Sequence, residues 1–123
     1  MNTEAIAKRL VELCRQGKYE EAQIELYADD AVSIEMEGLP PGNVANAKGL
    51  DAIREKGRQF NAGIEVVHGG SVSDPIVTGN WFSIVLTLDA TFKGRGRVNM
   101  EEICVYQVRD GKIVREQFFY DVG

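Results

Sequence analysis

At 123 residues, 44% hydrophobic and 27% charged, the chain has the make-up of one soluble globular domain, able to bury a core without disulfide or metal staples. Its net charge of −5 argues against a nucleic-acid partner, which asks for a basic face. No apolar run approaches the roughly 20 residues of a membrane span, and "MNTEAIAKRL" has no basic start before an apolar block, so no signal peptide is expected.

The N-terminal half reads as helical. Thr3 can cap a helix whose stripe is Ile6, Leu10, Leu13 and Cys14, and Gly17 is placed to end it. A second short helix carries Tyr19, Ala22 and Leu26 on one side, with Ile24 and Tyr27 on its flank, until Asp29 and Asp30 stop the pattern. "AVSIEME" then alternates Val32, Ile34 and Met36 against Ser33, Glu35 and Glu37, which predicts a short strand. Gly38 to Gly49 is loop, broken by Pro40-Pro41-Gly42. A third helix runs roughly from Leu50 to Phe60, with Leu50, Ile53, Gly57 and Phe60 in line.

After Gly63 the period changes to about two. Four strands are predicted: Ile64 to Val77 with a bulge at Gly69-Gly70, Trp81 to Phe92, Val98 to Val108, and Lys112 to Asp121. "TGN", "KGRG" and "RDGK" between them suit hairpins and imply an antiparallel meander. The basic "KGRGR", Lys93 to Arg97, is read as a hairpin tip, because its Gly-x-Gly opens no helix and makes a poor phosphate cradle. The expected fold is one α+β domain over residues 1–123, with three helices on one face of a curved antiparallel sheet in the order α-α-β-α-β-β-β-β.

Three stretches carry a family resemblance: "LYADDAVSIE" (Leu26–Glu35), "KGLDAIREK" (Lys48–Lys56) and "VYQVRDGKIVREQFFYD" (Val105–Asp121). Together with the element order they resemble the SnoaL-like proteins of the nuclear transport factor 2-like superfamily, which includes polyketide cyclases and ketosteroid isomerase. The resemblance implies a cystatin-like cone with a central pocket for a small apolar molecule, a homodimer formed through the sheet, and no cofactor. For activity it implies cyclase, isomerase or dehydratase chemistry by a pocket carboxylate. A non-catalytic ligand-binding protein and a dimeric interaction module of the same fold stand beside that reading.

Three acids are candidates for catalysis, since a carboxyl group among apolar side chains loses hydration and titrates nearer neutrality. Asp121 matches the acid at the close of the last strand in SnoaL-like cyclases. Glu35 matches the proton-shuttling carboxylate of ketosteroid isomerase, although its alternation sets it opposite Ile34 and Met36. Glu102 shares a face with Met100, Cys104, Tyr106 and Val108 by strand parity. The isomerase's phenol and second acid fall near Leu10 and Cys104, which disfavours steroid isomerase activity. Around the pocket the resemblance implies Tyr27, Phe60, His68, Trp81, Cys104, Tyr106, Gln117 and Phe119 as ligand-binding positions. A structural role is the larger expectation for His68, and sheet packing for Trp81. One histidine and scattered carboxylates give no metal-ligand spacing. Cys14 and Cys104 are expected as buried thiols of a cytoplasmic protein.

Overall fold

The computed structural model of the chain describes residues 1–37 and 45–121. Helices α1 (Thr3–Arg15) and α2 (Tyr19–Leu26) come first. Strand β1 (Tyr27–Ile34), the two-residue β2 (Ala47–Lys48) and helix α3 (Leu50–Ala62) follow. The rest is sheet: β3 (Ile64–Val72), β4 (Ile76–Thr78), β5 (Trp81–Phe92), β6 (Gly96–Arg109) and β7 (Lys112–Phe119).

In α1 the cap is Asn2 rather than Thr3: the Asn2 side chain accepts a hydrogen bond from the Ala5 amide at 2.8 Å. The predicted stripe is buried and widened by Ala7 and Val11. The second helix stops earlier than expected, so that Tyr27 leaves it and opens β1, while Asp29 and Asp30 are exposed strand residues rather than a helix stop. The Pro40-Pro41-Gly42 segment lies outside the described residues.

The sheet runs β2-β1-β7-β6-β5-β3, with β4 also on β5. From β3 to β7 every pairing is antiparallel, as predicted, and Asp110-Gly111, both at positive φ, makes the two-residue turn between β6 and β7. The first and last strands, however, lie side by side and parallel, so the sheet is mixed rather than antiparallel throughout. The predicted strand Ile64–Val77 divides into β3 and β4, and its bulge falls between Val67 and Gly69. At Gly70 the β5 backbone passes so close that a Cβ would meet the Thr87 carbonyl oxygen at 2.7 Å.

The three helices cover the concave face of this curved, unclosed sheet. The core joins the α1 stripe, Ala22, Leu26 and Ile53 to Phe82, Ile84, Cys104, Tyr106, Val108 and Ile113 of the sheet. Phe82 and Tyr106 stack at 4.7 Å between ring centroids. Cover is complete at this end. Further along the same concave face, Leu86, Leu88, Met100 and Glu102 are only half-buried. Burial resumes at Ala90 and Phe92, the latter packed edge-on by Phe60 at 5.7 Å.

Candidate functional site: a cluster of buried glutamates

Where complete cover ends, ionisable side chains converge on the concave face. Glu35 follows directly on β1 and is 8% exposed. One of its carboxylate oxygens accepts from Lys56 Nζ of α3 at 2.5 Å, and the other accepts from the Tyr120 hydroxyl at 2.7 Å. Its backbone N–H donates to Asn46 Oδ1 at 2.8 Å, which fixes the carboxylate's entry point. Lys56 also donates to Ser33 Oγ at 2.9 Å and lies 5.3 Å from the centre of the Phe118 ring. Ser33 is fully buried, and its hydroxyl is hydrogen-bonded to Glu116 of β7. Glu116, 4% exposed, accepts a second hydrogen bond from the buried Tyr27 hydroxyl.

Glu102 is held less tightly. Its neighbour on the concave face of β6 is Cys104, whose thiol donates to Glu102 Oε1 at 3.6 Å. No cation pairs with Glu102 among the described residues. Burial and then the Glu35 charge push its pKa up to about 7, so it exchanges a proton near neutral pH. Burial likewise raises Glu116, against the hydrogen bonds from Ser33 and Tyr27. The Tyr120 phenol is raised by burial and by its bond to the Glu35 carboxylate, and the Cys104 thiol by burial beside Glu102.

Of the three acids singled out in the sequence, Glu35 and Glu102 are brought together here. Asp121 is exposed beyond the end of β7, outside the cluster. Tyr27 and Cys104 belong to the cluster, and Phe60 borders the half-buried stretch of the concave face. Tyr106 is a core residue stacked on Phe82. Gln117, Phe119 and Trp81 sit on the convex face instead, in register with Val105, Ile103 and Gln107. His68 is exposed and bonded to Thr91 Oγ1 at 2.7 Å.

Val108 pairs with Ile113 and Gln107 with Arg115, so Val114 is an extra, bulged residue. Ile113 and Glu116 therefore both face inward although three positions apart. On β1 the polar set Ser33 and Glu35 won the inner face from Val32 and Ile34, because Lys56, Tyr120 and Asn46 satisfy it there. Sequence reasoning missed Lys56, Ser33, Glu116 and Tyr120. A signal for Lys56 was present, since it stands one turn from Ile53 on the buried side of α3.

Among the described residues no group of three His, Cys, Asp or Glu side chains is placed to hold a metal ion. Two surface hollows are lined by residues other than those of the glutamate cluster. One of about 400 Å³ adjoins Lys8, Arg15 and Asp74, and one of about 560 Å³ adjoins Asp29, Lys48 and Asp51. On the concave face the polar cluster stands beside the half-covered apolar stretch of Leu86, Leu88 and Met100. No helix among the described residues is long and apolar enough to cross a membrane.

A model of the SnoaL-like domain matches residues 1–120. A protein of Mesorhizobium loti, provisionally described as a SnoaL-like polyketide cyclase with carbohydrate phosphatase as a second label, is similar at 39% identity and a TM-score of 0.88, over 98% of this chain and 100% of that one. A Catenulispora acidiphila protein with a ketosteroid isomerase-like fold, solved with trimethylamine, aligns at 19% identity and a TM-score of 0.72, over 95% and 85% of the two chains. A Xanthomonas campestris protein with a cystatin-like fold aligns at 21% identity and a TM-score of 0.72, over 99% and 92%. The last two speak to the fold alone. No curated protein matches the chain.

Proposed function

The chain belongs to the SnoaL-like domain family, and from that premise we propose that it performs cofactor-independent acid/base chemistry on a small, mostly apolar carbonyl compound. The reaction class is cyclisation, isomerisation or dehydration. The observation that carries this reading is the placement of Glu102, a half-buried acid with no cation paired to it among the described residues, beside the incompletely covered Leu86, Leu88 and Met100. An apolar molecule seated on those three side chains presents a C–H next to its carbonyl to the Glu102 carboxylate. The C–H breaks, the proton goes to Glu102, and the electron pair moves to the carbonyl oxygen. Tyr120, half-buried, gives up its hydrogen bond to Glu35, which keeps Lys56 as its partner, and donates its hydroxyl proton to that oxygen instead. Glu102 returns the proton at another carbon or loses it to water. Asp121 has no part in this scheme because of its exposure.

The test follows proton exchange rather than a guessed product. In D2O the protein should speed deuteration next to the carbonyl for at least one of a panel of cyclic ketones, followed by proton NMR. Glu102→Gln should lose roughly 10²-fold or more of that rate with its backbone spectrum preserved. No acceleration for any ketone, or full acceleration by Glu102→Gln, counts against the reading.

The convex face favours a second reading, association without chemistry through that face. Trp81, Val85, Ile103 and Phe119 all stand there exposed. A homodimer across this surface would cover them. Val85→Asp should then convert a dimer to monomer in sedimentation. A wild type that already sediments as a monomer at high concentration removes the dimer.

A further inference from the structure

The inward line of α3 has a gap in it. Ile53, Gly57 and Phe60 share one side of the helix, and only the outer two carry bulk. Glycine is a poor helix former, yet Gly57 sits in ordinary helix that any other residue could adopt. A Cβ there would meet Gln23 Nε2 at 3.9 Å, an ordinary contact, so crowding does not ask for glycine either. What the missing side chain leaves is room.

The sheet shows the same order of closed, open and closed. Ile84 and Cys104 pair across β5 and β6 and are 1% and 0% exposed. The next two ranks, Leu86 with Glu102 and Leu88 with Met100, are half-buried. Burial returns at Ala90 and Phe92, where the Phe60 ring packs edge-on to Phe92 at 5.7 Å. The Arg95 guanidinium lies 5.9 Å from the centre of that same Phe92 ring and steadies it. Ile53 belongs to the core that holds Ile84, so the gap at Gly57 falls between that core and the Phe60–Phe92 contact, as the open ranks do. From Leu86 to Ala90 an extended strand advances about 13 Å. With its carbonyl end at the Glu102 rank, a rod of two six-membered rings fills that length.

We propose that Gly57 and Phe60 are the specificity-determining residues of this site, and that its substrate is a cyclic ketone with an apolar body two rings long. Gly57 leaves the space that admits the body, and Phe60 ends it. The inference rests on the acid/base reading above for the place of the reacting end, but binding tests it without turnover.

The probes are three cyclohexanones carrying hydrogen, phenyl or biphenylyl at the carbon opposite the carbonyl, which makes rods of one, two and three rings. Binding is read from the methyl resonances of Leu86, Leu88 and Met100, with Kd from titration. The two-ring rod should bind roughly tenfold or more tighter than either neighbour in the series, the discrimination an apolar site reaches by size. Phe60→Ala should erase the penalty on the third ring, and Phe60→Tyr should keep it. Gly57→Leu improves helix propensity and should weaken the two-ring rod by roughly tenfold or more. Equal affinity of the wild type for the two- and three-ring rods overturns the proposal, as does the lack of any methyl shift. Undiminished binding by Gly57→Leu, or a third-ring penalty that survives Phe60→Ala, overturns it too. Should Phe60→Ala fail to fold, Phe60→Leu takes its place with the same expected and contrary results. Two-ring selectivity without ketone deuteration supports the proposal and counts against the chemistry. Deuteration that ignores ring count removes the length limit and leaves the chemistry standing.

Discussion

Each face of this one sheet carries exceptions to the usual distribution of residues. On the concave side, under the helices, Glu116 and the flanking Glu35 are almost wholly buried and Glu102 half so. On the convex side Trp81, Val85, Ile103 and Phe119 are exposed, Ile103 to 49%. Ordinary burial energetics favour the opposite arrangement. Each anomaly is made tolerable in its own way. The inner acids are hydrogen-bonded or ion-paired, which offsets the cost of taking them from water. The outer apolar groups have no such internal remedy, and only another surface can cover them. Structure alone therefore accounts for Phe82 or Ile84, but both anomalies call for a function.

The sharpest contrast lies between adjacent residues of β5. Ile84 points into the core and is 1% exposed, while Val85 points outward. Ile84→Ala should cost about 3 kcal/mol in urea unfolding, from lost burial and the cavity left behind. At concentrations where the protein is monomeric, Val85→Ala should change stability by less than about 0.5 kcal/mol; equal costs would abolish the distinction between the faces.

An intermediate effect belongs to Glu102 and depends on pH. Its folded pKa, about 7, is raised from the ordinary 4.5, so the native state holds this proton longer than the unfolded chain does. Below about pH 4.5 both states are protonated and nothing is lost. As pH rises from there through 7, the group costs stability, up to roughly 3 kcal/mol before relief by water at its half-exposed edge. Glu102→Gln should therefore be more stable than the wild type at pH 8 and lose that advantage at pH 4.5. Thermal melts at the two pH values decide the matter, and an unchanged difference would mean that Glu102 is hydrated.

Much of the fold was legible because local signals agreed with one another. β5 runs from Trp81 to Phe92 as its alternation predicts, and the turn chemistry of "RDGK" placed the last hairpin. The parallel contact of β1 with β7 was not legible, since no local pattern states which distant strands will pair. In the site, Glu102 was readable from parity with Cys104. Glu35 was readable from resemblance but opposed by its own alternation, because its compensating partners come from α3 and from beyond β7. On β7 the resemblance favoured the face of Gln117, Phe119 and Asp121, and no local signal showed the bulged residue Val114, which decouples the parity of Ile113 from that of Glu116. Cross-chain partners and bulges are the two things a one-dimensional period cannot encode.

The parallel seam between β1 and β7 also orders events in time. Tyr27 meets Glu116 across 89 positions of sequence, and Glu35 meets Tyr120 across 85. Contacts of that separation are slow to form, because the loop between them must close first. During synthesis Glu35, Ser33 and Tyr27 emerge long before the strand that satisfies them. Until β7 docks, Tyr27 and Glu35 lack Glu116 and Tyr120 as hydrogen-bond partners. The glutamate cluster is assembled only when β7 docks, so its formation reports on completion of the sheet.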